Sequence, residues 1–237
     1  MKYTSIYSNT ESRTFDSGLR DYMYLIYKNM GIALLISAIV AFFVSSSPTL
    51  LRMLFSNTII ALIVQLSPIF FVYSFSKSIM NLSVSEAKNK LYIFAGLMGL
   101  SLSTIFVVYT KQSIVETFLT TSLTFGGMSL YGYTTKRDLT SLGSFLFMGV
   151  FGLCIASLIN LFVKSAGFAY LLSCLGVVIF TLYTAFNVQK LKELYNYVRG
   201  TSSDVAQKIA IYGALDLYIT FINLFTTLLT FFGDRRE

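Results

Sequence analysis

Four polar residues in the last apolar stretch of the chain, Asp216, Thr220, Asn223 and Thr227, are spaced four, three and four apart. That spacing puts them on one face of a helix, and Gly213 extends the face toward its start. The other faces are Leu, Ile, Phe and Tyr. An acid at membrane depth costs about 2.5–3.5 kcal/mol on insertion scales, so Asp216 is expected to face other helices or water. The chemistry open to it is to attract a cation, exchange a proton or pair with a base. A second stripe, Ser173, Gly176, Phe180, Thr184 and Asn187, marks one face of the preceding apolar stretch. Two such stripes are most economically placed face to face. Thr184, Thr220 and Thr227 are then expected to hydrogen-bond between helices.

The elements that must position these residues are membrane helices. Of 237 residues, 55% are hydrophobic and only 12% charged, against roughly 25% charged in a soluble domain. The mean hydropathy is +0.69. Seven apolar segments can be drawn, at about 25–44, 58–76, 91–109, 114–133, 142–163, 167–187 and 209–232. Each is close to the ~20 residues that one crossing needs. The runs are continuously apolar rather than alternating, which excludes a β-barrel. The expected fold is therefore an all-α membrane protein, a seven-transmembrane helical bundle organised around its polar-striped last helix. Residues 1–24 form an N-terminal tail and residues 233–237 a C-terminal one. The tail is polar and of mixed charge, unlike a cleavable signal peptide, so the first span is expected to double as the targeting signal.

Several function classes fall away. The net charge of +7 comes from 18 basic residues scattered singly between apolar runs, with no basic face or motif for nucleic acid. There is no histidine, which removes Ser-His-Asp and Cys-His catalysis, His-ligated zinc and a histidine relay. No paired acids and no Ser/Lys dyad suggest an intramembrane enzyme. No cofactor is expected. Cys154 and Cys174 have no metal-ligand spacing and read as small buried thiols. With no Trp, an interfacial aromatic belt falls to tyrosines such as Tyr22, Tyr24, Tyr27, Tyr109, Tyr131 and Tyr133.

The basic residues set the orientation. Lys2, Arg13, Arg20, Lys28, Lys77, Lys88, Lys90, Lys136, Arg137, Lys190, Lys192, Arg199 and Lys208 fall on one side of such a bundle. Arg52, Lys111, Lys164, Arg235 and Arg236 fall on the other. Positive loops stay cytoplasmic, so the N-terminus is expected inside. Charge alone slightly prefers a re-entrant last segment; its length prefers a full crossing, with the C-terminus outside. Within the spans, Pro68 implies a kink whose freed carbonyl needs a neighbouring donor. The fourth segment carries Thr117, Thr120, Thr121, Ser122, Thr124, Gly126, Gly127 and Ser129, the composition of an interior helix. Gly149, Gly152 and Ala156 form a stripe for close packing on the fifth.

Four stretches carry a resemblance. They are Phe15-Asp-Ser-Gly-Leu-Arg-Asp-Tyr-Met23, Met80-Asn-Leu-Ser-Val-Ser-Glu-Ala87, Phe125-Gly-Gly-Met-Ser-Leu-Tyr-Gly-Tyr-Thr-Thr-Lys-Arg-Asp-Leu-Thr-Ser-Leu-Gly143 and Gly213-Ala-Leu-Asp-Leu-Tyr-Ile-Thr-Phe-Ile-Asn-Leu-Phe225. Together they resemble the transmembrane Bax inhibitor motif family, Bax inhibitor-1-like, in its bacterial branch, and within that branch a rickettsial-type member. The resemblance implies a seven-span bundle with the last helix near the centre, set in the bacterial inner membrane. It also implies a passive, pH-sensitive calcium leak, with Ca2+ as the transported ion. In that family the pH response is attributed to two aspartates sharing a proton, one ending the sixth span and one in the seventh. Two close carboxylates titrate in coupled steps.

This chain departs from that pattern at both places. The sixth-span motif usually reads Tyr-Asp-Thr-Gln-Lys; here it is Phe186-Asn187-Val188-Gln189-Lys190. Thr220 stands where the second aspartate would be. Neither Asn nor Thr titrates near neutrality, so the two-carboxylate sensor does not carry over. Asp216 lies one turn away on the same face, about 6 Å along the axis. It becomes the titratable or cation-attracting group, and a weak Ca2+ candidate with Asn187, Thr220, Asn223 and Thr184 around it. Its basic partners would come from Lys77, Lys190 or Lys208. The alternative to a leak is an interaction protein, a membrane-embedded regulator of a protease or stress response whose partners are other membrane proteins. The polar stripes would then be only glue.

Overall fold

The computed structural model describes the backbone of residues 2–236 and the side chains of residues 17–236. The side chains of Lys2, Arg13, Phe15 and Asp16 lie outside the described residues. The chain is helical wherever the apolar runs demand it, since only closed helical hydrogen bonding satisfies a backbone in lipid. Nine α-helices follow in order among the described residues: α1 (Lys2–Ser46), α2 (Pro48–Phe55), α3 (Thr58–Ser78), α4 (Val84–Leu102), α5 (Ile105–Val108), α6 (Lys111–Thr134), α7 (Thr140–Val163), α8 (Ala166–Val198) and α9 (Ser203–Phe232). No strand occurs among the described residues, only an isolated antiparallel bridge between Tyr109 and Arg235.

Polar residues between the apolar runs start the helices. Asn57 accepts from the Ile59 amide, Thr110 from Ser113, Ser165 from Phe168 and Ser202 from Val205. Ser83 and Glu86 form a reciprocal capping box that begins α4 at Val84, well before the apolar run at 91. The same helix stops early. Ser103 and Thr104 turn their hydroxyls onto the Leu100 and Ser101 carbonyls, and the run resumes as α5. At the other extreme α8 continues to Val198, past the expected end at 187. Lys190, Lys192 and Glu193 end the apolar run but not the helix, because Val188, Leu191 and Val198 keep a buried face going. α1 likewise runs for 45 residues back to Lys2, so the stretch read as the N-terminal tail, residues 1–24, continues the first helix from Lys2 onward.

Among the described residues six helical stretches are long and apolar enough to cross a membrane: Ser17–Ser46, Thr58–Asn81, Val84–Val108, Thr140–Val163, Ala166–Val198 and Ser203–Phe232. The fourth expected span, α6, has 24 residues, but its Thr, Ser and Gly content keeps it out of that set. The core sits on α9, whose apolar window is 56% buried against 33% or less in the others. It packs on α1, α4, α6 and α8. α3 lies outside α4, and α7 outside α8 with only 6% of its window buried.

Close approaches hold this arrangement. A Cβ at Gly99 would come 2.7 Å from the Ser37 carbonyl oxygen of α1, and one at Gly132 would strike the Ala185 backbone of α8. Tyr218 of α9 is fully buried and lies 2.6 Å from Ser37 Oγ, which itself reaches the Ala95 carbonyl at 2.7 Å. A hydroxyl has one proton, so Tyr218 donates to Ser37 and Ser37 to α4, tying three helices. The carbonyl freed by Pro68 is Val64 O. It accepts from Ser101 Oγ of α4 at 2.8 Å and from Ser67 Oγ at 3.0 Å, as a proline in a membrane helix requires.

The last helix does not turn back. α9 is unbroken over 30 residues, about 45 Å at the helical rise. Beyond it Asp234 N donates to Ser113 Oγ, Thr110 N to Asp234 O and Arg236 N to Val108 O. The C-terminal tail is thus fastened to the α5–α6 turn, at the opposite end of the bundle from the α3–α4 turn. α9 therefore runs from the α8–α9 turn to the α5–α6 turn without a break.

Candidate functional site: the α8–α9 polar cluster

Two glycines press α8 and α9 together. A Cβ at Gly176 would lie 2.5 Å from Thr227 Cγ2, and one at Gly213 would lie 2.7 Å from Leu191 Cδ2. Between these two contacts the polar stripes meet. Asn187 Nδ2 donates to Thr220 Oγ1 at 2.9 Å and, at 3.4 Å, to Asp216 Oδ1. Thr220 spends its own proton on the Asp216 carbonyl, 2.8 Å away one turn back. Its oxygen is therefore free to accept from Asn187. Both protons of the Asn187 amide are used. Its Oδ1 is buried and has no hydrogen-bond partner among the described residues. Tyr183 borders Asn187 and Asp216 from α8.

Asp216 is the half-buried member, with 27% of its side chain accessible. Lys190, one turn beyond Asn187 on α8, brings Nζ to 4.0 Å from Asp216 Oδ2 and is 56% accessible. At that distance and exposure the pair contributes little, about 0–1 kcal/mol. The other two basic candidates go elsewhere: Lys77 to the hydroxyl and ring of Tyr73, Lys208 to the Met80 carbonyl.

The remaining stripe residues divide. Thr184 is fully buried but donates to Phe180 O within α8, so it makes no interhelical bond. A threonine in a helix reaches its own i−4 carbonyl more readily than a neighbour. Thr227 likewise bonds to Asn223 O. Asn223 is partly exposed. It faces a crevice of about 560 Å³ between α7, α8 and α9 that includes Ser157, Asn160, Ser173, Thr226, Thr227 and Thr230. The cluster and the crevice are thus successive levels along α9, the first near the Lys190 end and the second near the C-terminal end.

Outside the stripes several expectations change. Cys154 is exposed on the crevice and Cys174 partly exposed, so neither is a buried thiol. Gly149 packs on Ile179, while Gly152 meets nothing within 4 Å. α6 buries Thr117, Thr121 and Ser129 and turns Thr120, Gly126 and Gly127 outward, so it is interior on one face only. Tyr24 and Tyr131 face out; Tyr22 packs on Tyr195, and Tyr109 is covered by the tail at Gly233. One functional-looking residue went unread. Gln189 clamps the α6–α7 turn, accepting from Leu139 N and donating to Arg137 O, both at 2.8 Å. A glutamine amid buried residues was its signal.

Chemically, one carboxylate, one amide and one hydroxyl are gathered here. No group of three or more His, Cys, Asp or Glu that could hold a metal ion occurs among the described residues. The cluster can attract a cation through Asp216 and offer it neutral oxygens.

Comparison with known proteins places this arrangement. The family described as Inhibitor of apoptosis-promoting Bax1 matches residues 19–237. The uncharacterized protein RP147 of Rickettsia prowazekii (strain Madrid E) is 41% identical over 239 residues, covering 99% of both chains. The inner membrane protein YbhL of Escherichia coli (strain K12) is 40% identical over 220 residues, covering 93% of this chain and 94% of YbhL. A protein of Borreliella burgdorferi is 41% identical over 212 residues, covering 90% of this chain and 91% of that one. With the polytopic helical fold, the central α9 and these matches across nearly its whole length, the chain belongs to the Bax inhibitor family of multi-pass membrane proteins.

Proposed function

We propose that the protein is a passive cation leak of the bacterial inner membrane, conducting Ca2+ among other cations, without the two-aspartate sensor. It performs no chemical step and needs no cofactor. In this reading α6 crosses as well, giving seven spans, with the N-terminus cytoplasmic and the C-terminus outside. The E. coli relative's name, inner membrane protein, supports the location. The observation that carries the reading is the meeting of Asp216, Asn187 and Thr220 on the central helix pair, with Asn187 Oδ1 unpartnered. A buried oxygen left unpaired costs about 1–3 kcal/mol, and a passing cation or water relieves that cost. One carboxylate with neutral oxygens holds Ca2+ weakly, since calcium prefers six to eight oxygens with several carboxylates. Weak holding suits conduction, where the ion must also leave.

The test is flux into liposomes by purified protein, wild type and Asp216→Asn, at acidic and neutral pH. Flux should fall in the variant and lose its pH response. Unchanged flux and pH dependence would remove Asp216 from the mechanism. A second reading rests on the Asn187–Thr220 bond, which closes α8 on α9: a regulatory membrane protein that acts through partner proteins. Absence of flux under every condition selects it over the leak.

A further inference from the structure

On the other side of α9 from α7, the bundle leaves a slot of about 280 Å³ between α1 and α6. Both helices pack on α9 but not closely on each other. Ala38 and Ala41 line the slot from α1, Val115 and Phe118 from α6, and Phe221 and Phe225 form its floor on α9. Among the described residues that line it, only Ser37 is polar. Its hydroxyl donates to Ala95 O and accepts from Tyr218, so it offers nothing to the slot. Water needs two to four polar partners in such a space, and an apolar cavity stays dry. A gap also deprives its walls of dispersion contacts. The slot opens sideways, since Ala38, Val115, Phe118 and Leu119 are exposed. From Leu34 to Ala41 it follows the membrane-spanning part of α1 for about 10 Å, so it opens onto hydrocarbon. A helix of another protein does not fit: one turn, 5.4 Å of a cylinder about 10 Å wide, fills roughly 400 Å³. A single file of methylenes does fit.

A charge heads the slot. Lys111 precedes Val115 by four residues and Phe118 by seven, so it stands on the same stripe of α6, one turn nearer the end of the bundle. It is exposed and makes no ion pair among the described residues. The antiparallel bridge between Tyr109 and Arg235 brings the C-terminal tail beside it, with Arg235 and Arg236 both exposed. Two acids lie near. Asp234 on the tail offsets one of these three cations. Glu116 is about 140° round α6 from Lys111 by helical periodicity, and it accepts from Gln112. The mouth of an apolar slot therefore carries net positive charge at the level where a span meets lipid headgroups. Basic residues so placed attract anionic lipids, and a lysine ammonium binds phosphate as a point charge.

We propose that the slot between α1 and α6 is a binding site for an anionic phospholipid, one acyl chain lying against α9 and the phosphate held at Lys111. The site does not depend on whether the protein conducts ions. The test uses proteoliposomes containing phosphatidylglycerol or phosphatidylethanolamine with a diazirine midway along one acyl chain. After photolysis the labelled residues are mapped by mass spectrometry. Leu158 and Ile159, exposed near the same end of the bundle on α7, report bulk lipid. Phosphatidylglycerol should label the slot residues of α1 and α6 more densely than those two positions, and phosphatidylethanolamine should label the slot less. Ala38→Phe puts a ring into the slot and should cut its labelling severalfold. Lys111→Gln, an exposed change that leaves the packing alone, should remove the excess of phosphatidylglycerol over phosphatidylethanolamine. Labelling of α7 should be the same in both variants. Slot labelling no denser than on α7 would mean bulk lipid only, and an unlabelled slot would mean that a side chain of another copy fills it. Either result, equal slot labelling by the two lipids, or slot labelling unmoved by either variant overturns the proposal.

Discussion

Replacing Asn187 by leucine should stabilise the protein while impairing transport. The side chain is fully buried. It gives one good interhelical bond, to Thr220 at 2.9 Å, and such bonds contribute about 0.6 kcal/mol in membrane bundles. The second contact, at 3.4 Å to Asp216, is long and adds little. Against these stands the unpartnered Oδ1, which costs about 1–3 kcal/mol when left dry. Leucine is close in volume and carries neither gain nor penalty. The net is a gain of about 1 kcal/mol, or roughly 2–4 °C in unfolding temperature for a chain of this size. Thr220→Val is the paired control. It removes the acceptor, leaves an Asn187 N–H unmet, and should lower the temperature by a similar amount. Thermal unfolding of purified protein in one detergent measures both, with liposome flux alongside. A fall of ~3 °C or more in Asn187→Leu would mean that Oδ1 is satisfied by a water or ion, and the accounting above would be refuted.

Three further outcomes follow from the packing. Ser101→Ala leaves the Val64 carbonyl freed by Pro68 with the Ser67 hydroxyl as its one remaining donor and should cost about 0.5–1 kcal/mol; in a Pro68→Ala background, which restores the backbone bond, the same change should cost less, as a double-mutant cycle in denaturation would read. Gly132→Val drives a side chain into the Ala185 backbone and should destabilise by about 1–3 kcal/mol, seen as loss of folded protein on size exclusion. Lys190→Gln should shift the unfolding temperature by less than ~3 °C, because an exposed pair at 4.0 Å contributes at most about 1 kcal/mol. Its effect should appear instead in the pH dependence of flux.

Much of this fold is legible in the order of residues because its rules are local. Caps at Asn57, Ser83, Thr110, Ser165 and Ser202 start five of the helices, and the stranded carbonyl before Pro68 follows from the missing amide. The central place of α9 is legible too, since Asp216, Thr220 and Asn223 cannot face lipid. What failed to show was set by partners far away in sequence. The hydroxyl of Thr184 chose its own helix, a choice that spacing does not reveal. Lys190 prevailed over Lys77 and Lys208 because a neighbouring carbonyl or ring captured the other two. The extension of α8 to Val198 depended on the buried face of Val188, Leu191 and Val198, which hydropathy alone reads as loop. Cys154 lies open because α7 sits at the edge of the bundle and packs mainly on α8, which no count of apolar residues could indicate.

The central helix is also the last one made. α1, α4, α6 and α8 all pack on α9, yet the ribosome completes each of them before α9 leaves it. Until then Asn187 has no Thr220 to bond, Ser37 has no Tyr218, and Phe94 and Phe125 lack the aromatic faces of Tyr218 and Phe221 that they later meet. The early helices must therefore wait in the membrane as a loose ring around a missing hub. A chain cut short before residue 203 would hold most of the spans but lack the helix on which α1, α4, α6 and α8 converge, which makes it a natural substrate for membrane quality control. Once α9 is in place, Asp234 and Arg236 fasten its far end to the α5–α6 turn.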